Sequence, residues 1–197
     1  MWDPENGYIR FVPEADYSDP SYHLPHFYQL FAERADEEDR EFWKKAATAS
    51  RRYIVKSCHP KTGMASEYAE YDGTPKLLFR KKMQFYSDAY RVAMNIGLDA
   101  SWFGGSPETA AIIQNLQAFF RENVQGEEYM SYNIDGTVLD EPAMHPVAIT
   151  ATLAAGSLAA PEGKYAESWL RQFWELPLRV GNRRYYDNCL YFFSLLM

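Results

Sequence analysis

The chain has 197 residues, of which 47 % are hydrophobic, 16 % aromatic and 24 % charged, values that favour a folded domain with a sizeable core and exclude a wholly disordered chain. The formal net charge is −7, from 20 Lys and Arg against 27 Asp and Glu, so we expect no basic surface for a nucleic-acid partner. No apolar run approaches the ~20 residues of a membrane-spanning helix, so no membrane partner is expected either.

Seven helices are predicted from the spacing of apolar residues. In chain order they cover residues 21–34, 37–57, 86–103, 108–124, 147–160, 165–176 and 185–197. The first, third, fifth and seventh contain few or no charged residues, whereas the second, fourth and sixth are amphipathic. A helix without a charged face needs protein on nearly every side. The alternation therefore predicts inner helices covered by outer ones, although an ordinary helical bundle or solenoid is compatible with it.

For two of these helices the sequence predicts which side chains face the core or the solvent. Helix 21–34 is expected to be an inner one, with its apolar positions at Leu24, Phe27, Leu30 and Phe31. Helix 37–57 is expected to be an outer one, and Arg51 falls on the charged face that we predict to be exposed to solvent.

The connections differ in length in a way that locates a site. Those that follow the amphipathic helices are long, at residues 58–85, 125–146 and 177–184. Long loops in compact domains are usually functional. All three lead to the amino-terminal ends of inner helices, so we expect them to gather at one end of the fold.

Short internal repeats occur in these loops and near the amino terminus. PENG at residues 4–7 resembles PKTG at 60–63, and YDGT at 71–74 resembles IDGT at 134–137. We predict tight turns at these positions, some of them in short β-hairpins, within a repeated helical hairpin.

The most informative segment is 85–96. At 100° per residue, Asp88, Arg91, Asn95 and Asp99 fall on one stripe of a helix, with Asp88 in its first turn. A buried carboxylate is costly unless it is paired, and Arg91 lies one turn later. Asp88 is thus a candidate for proton transfer at the end where the loops gather. The alternative is an amino-terminal helix charge in a structural ion pair.

Other polar residues begin the remaining inner helices at the same end of the predicted fold. They are Tyr22, His23, His145, Tyr185, Tyr186 and Asp187. Taken singly, each is typical of an ordinary packing or loop residue. Aromatic side chains in the loops, at Tyr68, Tyr71 and Phe79, could either stack on sugar rings or cover the core.

No motif indicates a metal, a nucleotide or a covalent nucleophile, so no cofactor and no metal are expected. Cys58 and Cys189 match no disulfide or metal framework, and residues 1–5 do not resemble a secretory signal. The expected location is therefore cytoplasmic. A carboxylate in an aromatic, all-helical cavity is most compatible with glycoside hydrolysis.

Three segments resemble glycoside hydrolase family 8: DPSYHLP at residues 19–25, SDAYRVAMN at 87–95 and RYYD at 184–187. The resemblance is strongest to members that release xylose from the reducing end of xylo-oligosaccharides. It implies an all-α, (α/α)6 barrel and hydrolysis of β-1,4 linkages with inversion. It also implies that Asp88 is the general base and that Tyr22 helps to hold the attacking water. Arg91, His145 and Tyr186 are implied as substrate-binding residues, His145 in the loop that recognises the reducing-end sugar.

The chain also departs from this family. Members are about twice as long, and about seven of twelve helices are predicted here, the last reaching Met197. None of Glu5, Glu14 or Glu33 lies in a context that resembles the motif of the general acid. Residues 1–197 are therefore interpreted as the carboxyl-terminal portion of one catalytic domain. We expect this portion to be inactive alone, with a xylo-oligosaccharide as substrate and exposed inner helices that pair with an amino-terminal half or with a second copy.

Two rival functions remain open from the sequence. The first is a non-catalytic carbohydrate-binding or scaffold protein built from helical hairpins. The second is another (α/α)6 enzyme, such as a polysaccharide lyase, which would require a Tyr or His base and an acidic sugar. A net charge of −7 is unfavourable for binding a uronate.

Overall fold

The computed structural model describes residues 1–78, 84–124 and 128–197. Within them the chain forms seven α-helices and four short strands. The helices are α1 (Pro25–Arg34), α2 (Glu37–Ser57), α3 (Arg91–Phe103), α4 (Pro107–Asn123), α5 (Pro146–Gly156), α6 (Ala166–Glu175) and α7 (Arg184–Leu195). The all-α prediction and its seven helices are confirmed. In the described part of the chain, no helix is both long and apolar enough to cross a membrane.

The helices form two layers. In the inner layer α1 packs against α3, α3 against α5, and α5 against α7. In the outer layer α2 covers α1, while α4 and α6 pack on the outside of α5. Helix α5, which has no charged residue, is buried continuously from Ala148 to Gly156. Charge content therefore predicted the layer of each helix, and its reason holds fully for α5, the inner helix that protein surrounds on nearly every side.

The first and third predicted helices begin differently from the prediction. Residues Pro20–Tyr22 form a separate 3-10 turn, and α1 starts only at Pro25, which needs no partner for an amide hydrogen at the first helical position. Residues Ser87–Tyr90 form a second 3-10 turn directly before α3. Asp88 therefore lies in this turn and not in the first turn of an α-helix.

Burial in α1 and α2 departs from the prediction as well. Phe27 and Phe31 are exposed, and the residues of α1 that α2 and α3 cover include His26, Tyr28 and Ala32. Arg51 is half-buried, because its guanidinium binds Asp99 of α3 at 2.8 and 2.7 Å. Helical periodicity identifies an apolar stripe but not the neighbour that covers it, which is why both predictions were wrong.

The repeated segments are tight turns, as predicted. β1 (Tyr17–Ser18) pairs with β2 (Ala69–Glu70), and β3 (Met130–Tyr132) pairs with β4 (Val138–Pro142), both antiparallel. The turn after β2 and the one between β3 and β4 have the same hydrogen bond, from the amide of Thr74 to Asp72 Oδ1 and from that of Thr137 to Asp135 Oδ1, each 2.8 Å. The glycines of all four repeats have a positive φ: Gly7, Gly63, Gly73 and Gly136.

Candidate active site

The Asp88 side chain is held by two neighbours. Its Oδ1 accepts a hydrogen bond from the Tyr186 hydroxyl at 3.1 Å, and its Oδ2 lies 3.0 Å from Arg91 Nη2. The side chain nevertheless remains 26 % exposed. The carboxylate is therefore fixed in orientation and still accessible to a water molecule.

The backbone at this position is strained. Ser87 has a φ of 39°, in the left-handed region that residues other than glycine rarely adopt. Its carbonyl also lies 3.1 Å from the Tyr186 hydroxyl, whose single proton is shared between this carbonyl and Asp88 Oδ1. Burial raises the pKa of Tyr186, so its hydroxyl stays protonated and able to donate. Strain of this kind costs about 1–3 kcal/mol and often occurs at functional sites.

Arg91 connects Asp88 to the 3-10 turn of residues 20–22. Its Nη2 donates to Ser21 Oγ at 2.7 Å and lies 3.7 Å from Asp19 Oδ2. Asn95, one turn further along α3, donates to the Ser21 carbonyl at 3.0 Å. Asp88, Arg91 and Asn95 thus face one cluster, as the stripe predicted. Asp99, the fourth residue of that stripe, lies outside the cluster and pairs with Arg51.

Tyr22 lies beside this cluster. The Arg91 guanidinium is 5.8 Å from the centre of its ring, and Phe11 stacks on the ring at a centroid distance of 5.8 Å. Burial first, and then the charges of Asp19 and Asp88, raise the pKa of the Tyr22 hydroxyl. The hydroxyl is therefore a neutral hydrogen-bond donor near the carboxylates.

A cavity of about 730 Å³ opens among α1, α3 and α7. Tyr22, Arg91 and Tyr186 line it together with apolar side chains of all three helices. His145 packs against Tyr186, with their ring centres 4.6 Å apart. The structure thus places all five candidate site residues within one connected cluster at the amino-terminal ends of the inner helices.

Two other candidates, His23 and Tyr185, take no part in this cluster. His23 is fully buried, with Ser18 and Ser50 hydroxyls 2.9 and 3.0 Å from its ring nitrogens. Burial lowers its pKa to about 3, so it is a neutral core residue. Tyr185 is largely exposed. Phe79 lies outside the described residues.

Asp19 belongs to the cluster and was missed in the sequence analysis. It caps the 3-10 turn, and its Oδ1 accepts hydrogen bonds from the amide and the hydroxyl of Ser21, both 2.7 Å. Its Oδ2 has no hydrogen bond within the described part of the chain. An aspartate directly before Pro-Ser is typical of a cap and was the available signal. Complete burial, which no local pattern predicts, raises its pKa to about 7.

This burial makes the stability of the protein depend on pH. The pKa of Asp19 is about 7 in the folded protein against an ordinary 3.8, so between these values the folded state retains a proton that the unfolded state has lost. Stability therefore falls as the pH rises through this window, by at most about 1.4 kcal/mol per pH unit. Asp19→Asn keeps an oxygen for Ser21 and should flatten this dependence. Urea unfolding across the window, for both proteins, measures it, and equal slopes would contradict the assignment.

No group of three or more His, Cys, Asp or Glu side chains that could hold a metal ion occurs in residues 1–78, 84–124 and 128–197. The chemistry that the cluster offers is proton transfer at Asp88 next to aromatic surfaces. A carboxylate that is fixed in orientation and accessible to water is one of the two groups that hydrolysis of a glycosidic bond requires.

Comparison with known proteins supports this chemistry. The sequence model of glycosyl hydrolases family 8 matches residues 5–197, and the chain belongs to this family. It is 56 % identical to a reducing end xylose-releasing exo-oligoxylanase of Halalkalibacterium halodurans and 54 % identical to one of Paenibacillus barcinonensis. Each match covers 100 % of the chain but 50 % and 52 % of the relative, so the chain spans about half the length of these proteins.

Solved structures agree. A crystal structure of a reducing-end-xylose releasing exo-oligoxylanase superposes with a TM-score of 0.95 at 56 % identity, over 100 % of this chain and 52 % of that one. A crystal structure of such an enzyme complexed with xylose gives the same TM-score at 56 % identity, over the same shares of the two chains. Structures of this family are (α/α)6 barrels, and the two layers of α1–α7 are part of such a barrel.

Proposed function

We propose that this chain supplies the general-base half of an inverting hydrolase that removes xylose from the reducing end of β-1,4-xylo-oligosaccharides. The observation that carries the proposal is the state of Asp88, which is oriented by Tyr186 and Arg91 while its side chain stays 26 % exposed. An inverting base needs both properties, because it must point at one water molecule and accept its proton.

The roles of the neighbouring residues follow from their contacts. Arg91 lies 3.0 Å from Asp88 Oδ2 and orients the carboxylate, and the neutral Tyr22 hydroxyl offers a second hydrogen bond to the attacking water. Tyr186 contacts Asp88, and His145 packs against Tyr186. Their aromatic rings can stack on a sugar, and their polar atoms can form hydrogen bonds with its hydroxyls. Arg91, Tyr186 and His145 are thus the proposed substrate-binding residues.

We infer further that the general acid belongs to a segment that the chain does not contain. The matched relatives are about twice as long, and we place the chain as the carboxyl-terminal half of one catalytic domain. The two halves together would complete the ring of inner helices and enclose the substrate. The alternative function, carbohydrate binding without turnover, predicts affinity for xylo-oligosaccharides but no product.

A chimera tests the proposed reaction. We would replace the matching half of the Halalkalibacterium halodurans enzyme with this chain and supply xylotriose labelled with ¹³C in its reducing-end sugar. Early ¹H NMR spectra should show labelled xylose together with xylobiose whose new reducing end is in the α configuration, because inversion of a β linkage gives the α anomer. An initial β anomer would exclude the inverting mechanism. Label retained in xylobiose would exclude release from the reducing end.

A further inference from the structure

The first turn of α7 contains a buried carboxylate that the proposed mechanism does not use. Asp187 is completely buried. Its Oδ1 accepts a hydrogen bond from the Ala148 amide at 2.8 Å, and its Oδ2 lies 3.0 Å from His145 Nδ1. Arg179 Nη1 donates to the same Oδ2. Both oxygens of Asp187 are therefore engaged by donors from α5 and from the loop before α7.

Arg179 is itself held in place. Its Nη1 also donates to the Met144 carbonyl at 2.6 Å, directly before His145. Its backbone exchanges two hydrogen bonds with the Asn188 side chain, at 2.9 and 3.0 Å. The guanidinium thus joins the loop before α7 to the loop before α5, with Asp187 between them.

The charge on Asp187 determines where the proton of His145 lies. Burial alone would raise the pKa of Asp187, but hydrogen bonds from His145, Ala148 and Arg179 outweigh it and lower the pKa below its ordinary value. An ionised carboxylate only accepts hydrogen bonds, so His145 Nδ1 must carry a proton. When the ring is neutral, Nε2 is then an acceptor.

His145 Nε2 is the free end of this arrangement. It has no hydrogen bond within the described part of the chain, yet it is not among the buried polar atoms without a partner, so solvent reaches it. The side chain as a whole is 7 % exposed. The ring also packs against Tyr186, whose hydroxyl contacts Asp88. His145 Nε2 is thus accessible to solvent, and the Tyr186 side chain lies between His145 and the proposed base, Asp88.

We propose that Asp187, assisted by Arg179, is a positioning residue that holds His145 in the Nδ1–H tautomer, so that Nε2 accepts a hydrogen bond from a hydroxyl of the bound sugar. This inference rests on the proposed function, since it takes His145 to contact the substrate. What it adds is the pair of residues, Asp187 and Arg179, that determines which nitrogen of His145 can accept a hydrogen bond.

The tautomer can be measured in this chain without any enzymatic activity. Long-range ¹H–¹⁵N correlation spectra of histidine-labelled protein at pH 7.5 should show His145, assigned by comparison with His145→Gln, protonated at Nδ1 and not at Nε2. Asp187→Asn removes the negative charge that holds the proton at Nδ1, so the Nε2–H tautomer should become populated. The exposed Asp39→Asn is the matched control and should leave the spectrum unchanged.

The wild-type spectrum decides the proposal even if Asp187→Asn does not fold. A proton at Nε2 in the wild-type chain would overturn it. In the chimera, Asp187→Asn should raise the KM for xylotriose about tenfold and change kcat less, because a neutral hydrogen bond in binding is lost. A changed tautomer with an unchanged KM would overturn the role toward the sugar. An inactive wild-type chimera would instead count against the proposed function and leave the tautomer result standing.

Discussion

The chain by itself should release no xylose from xylotriose above the background rate, and release should appear when the amino-terminal half of a relative is added. Inverting hydrolysis requires an acid and a base roughly 6.5–9.5 Å apart across the scissile bond. Asp88 is the proposed base, but Asp19, the carboxylate that shares Arg91 with it, is completely buried and cannot reach a sugar. Loss of a general acid costs about 10²–10⁴-fold in rate.

The cavity among α1, α3 and α7 indicates where the added half would dock. Apolar side chains at its rim are exposed, among them Phe27 of α1, Trp102 of α3, and Phe193 and Leu196 at the end of α7. Contiguous exposed apolar surface of this kind favours association. We therefore expect a stable complex with the other half and, in its absence, association between copies of the chain.

The measurement is xylose release from xylotriose by the chain, by the separately expressed amino-terminal half of the Halalkalibacterium halodurans relative, and by their mixture. Size-exclusion chromatography of each sample reports the complex. The control is the same mixture made with the Asp88→Asn chain, which should associate but stay inactive. Rapid release by the chain alone would show that another of its residues serves as the acid, and the half-enzyme proposal would have to be abandoned.

Asp88→Asn should remove most turnover of the chimera and leave substrate binding almost intact. The amide retains an oxygen for the Tyr186 hydroxyl but cannot accept a proton from water. We expect kcat to fall by about 10²–10⁴-fold, with the affinity for xylobiose changed by no more than about threefold. Steady-state kinetics measures kcat, and calorimetric titration measures the affinity for xylobiose. The control is Asp39→Asn, the same substitution at an exposed aspartate, which should change neither.

The rival reading of Asp88 as a structural ion pair predicts a different pattern. The side chains of Asp88 and Arg91 are both 26 % exposed, so their pair contributes only about 0–1 kcal/mol to stability. A structural role would therefore show as a small loss of unfolding free energy, with kcat and affinity reduced together. Equal losses of rate and binding would contradict the assignment of Asp88 as a base.

Much of the architecture was predictable from the sequence. The absence of charge on α5 and the amphipathic patterns of α2 and α6 assigned these helices to their layers, because exposure of an uncharged helix is unfavourable whatever its neighbours are. The loop lengths placed Asp88, His145 and Tyr186 at one end. Local turn chemistry, an Asp-Gly pair followed by Thr, predicted the tight turns that the structure contains.

Which buried groups pair with one another was decided by the tertiary structure alone. Asp99 lies on the same helical stripe as Asp88 but binds Arg51, 48 residues away, and Asp187 binds His145, 42 residues away. Helical spacing specifies the direction of a side chain relative to its own helix and contains no information about the distant segment that meets it. The burial of Asp19 and the orientation of His145 depend on such distant segments. They were therefore fixed only when the inner helices packed together.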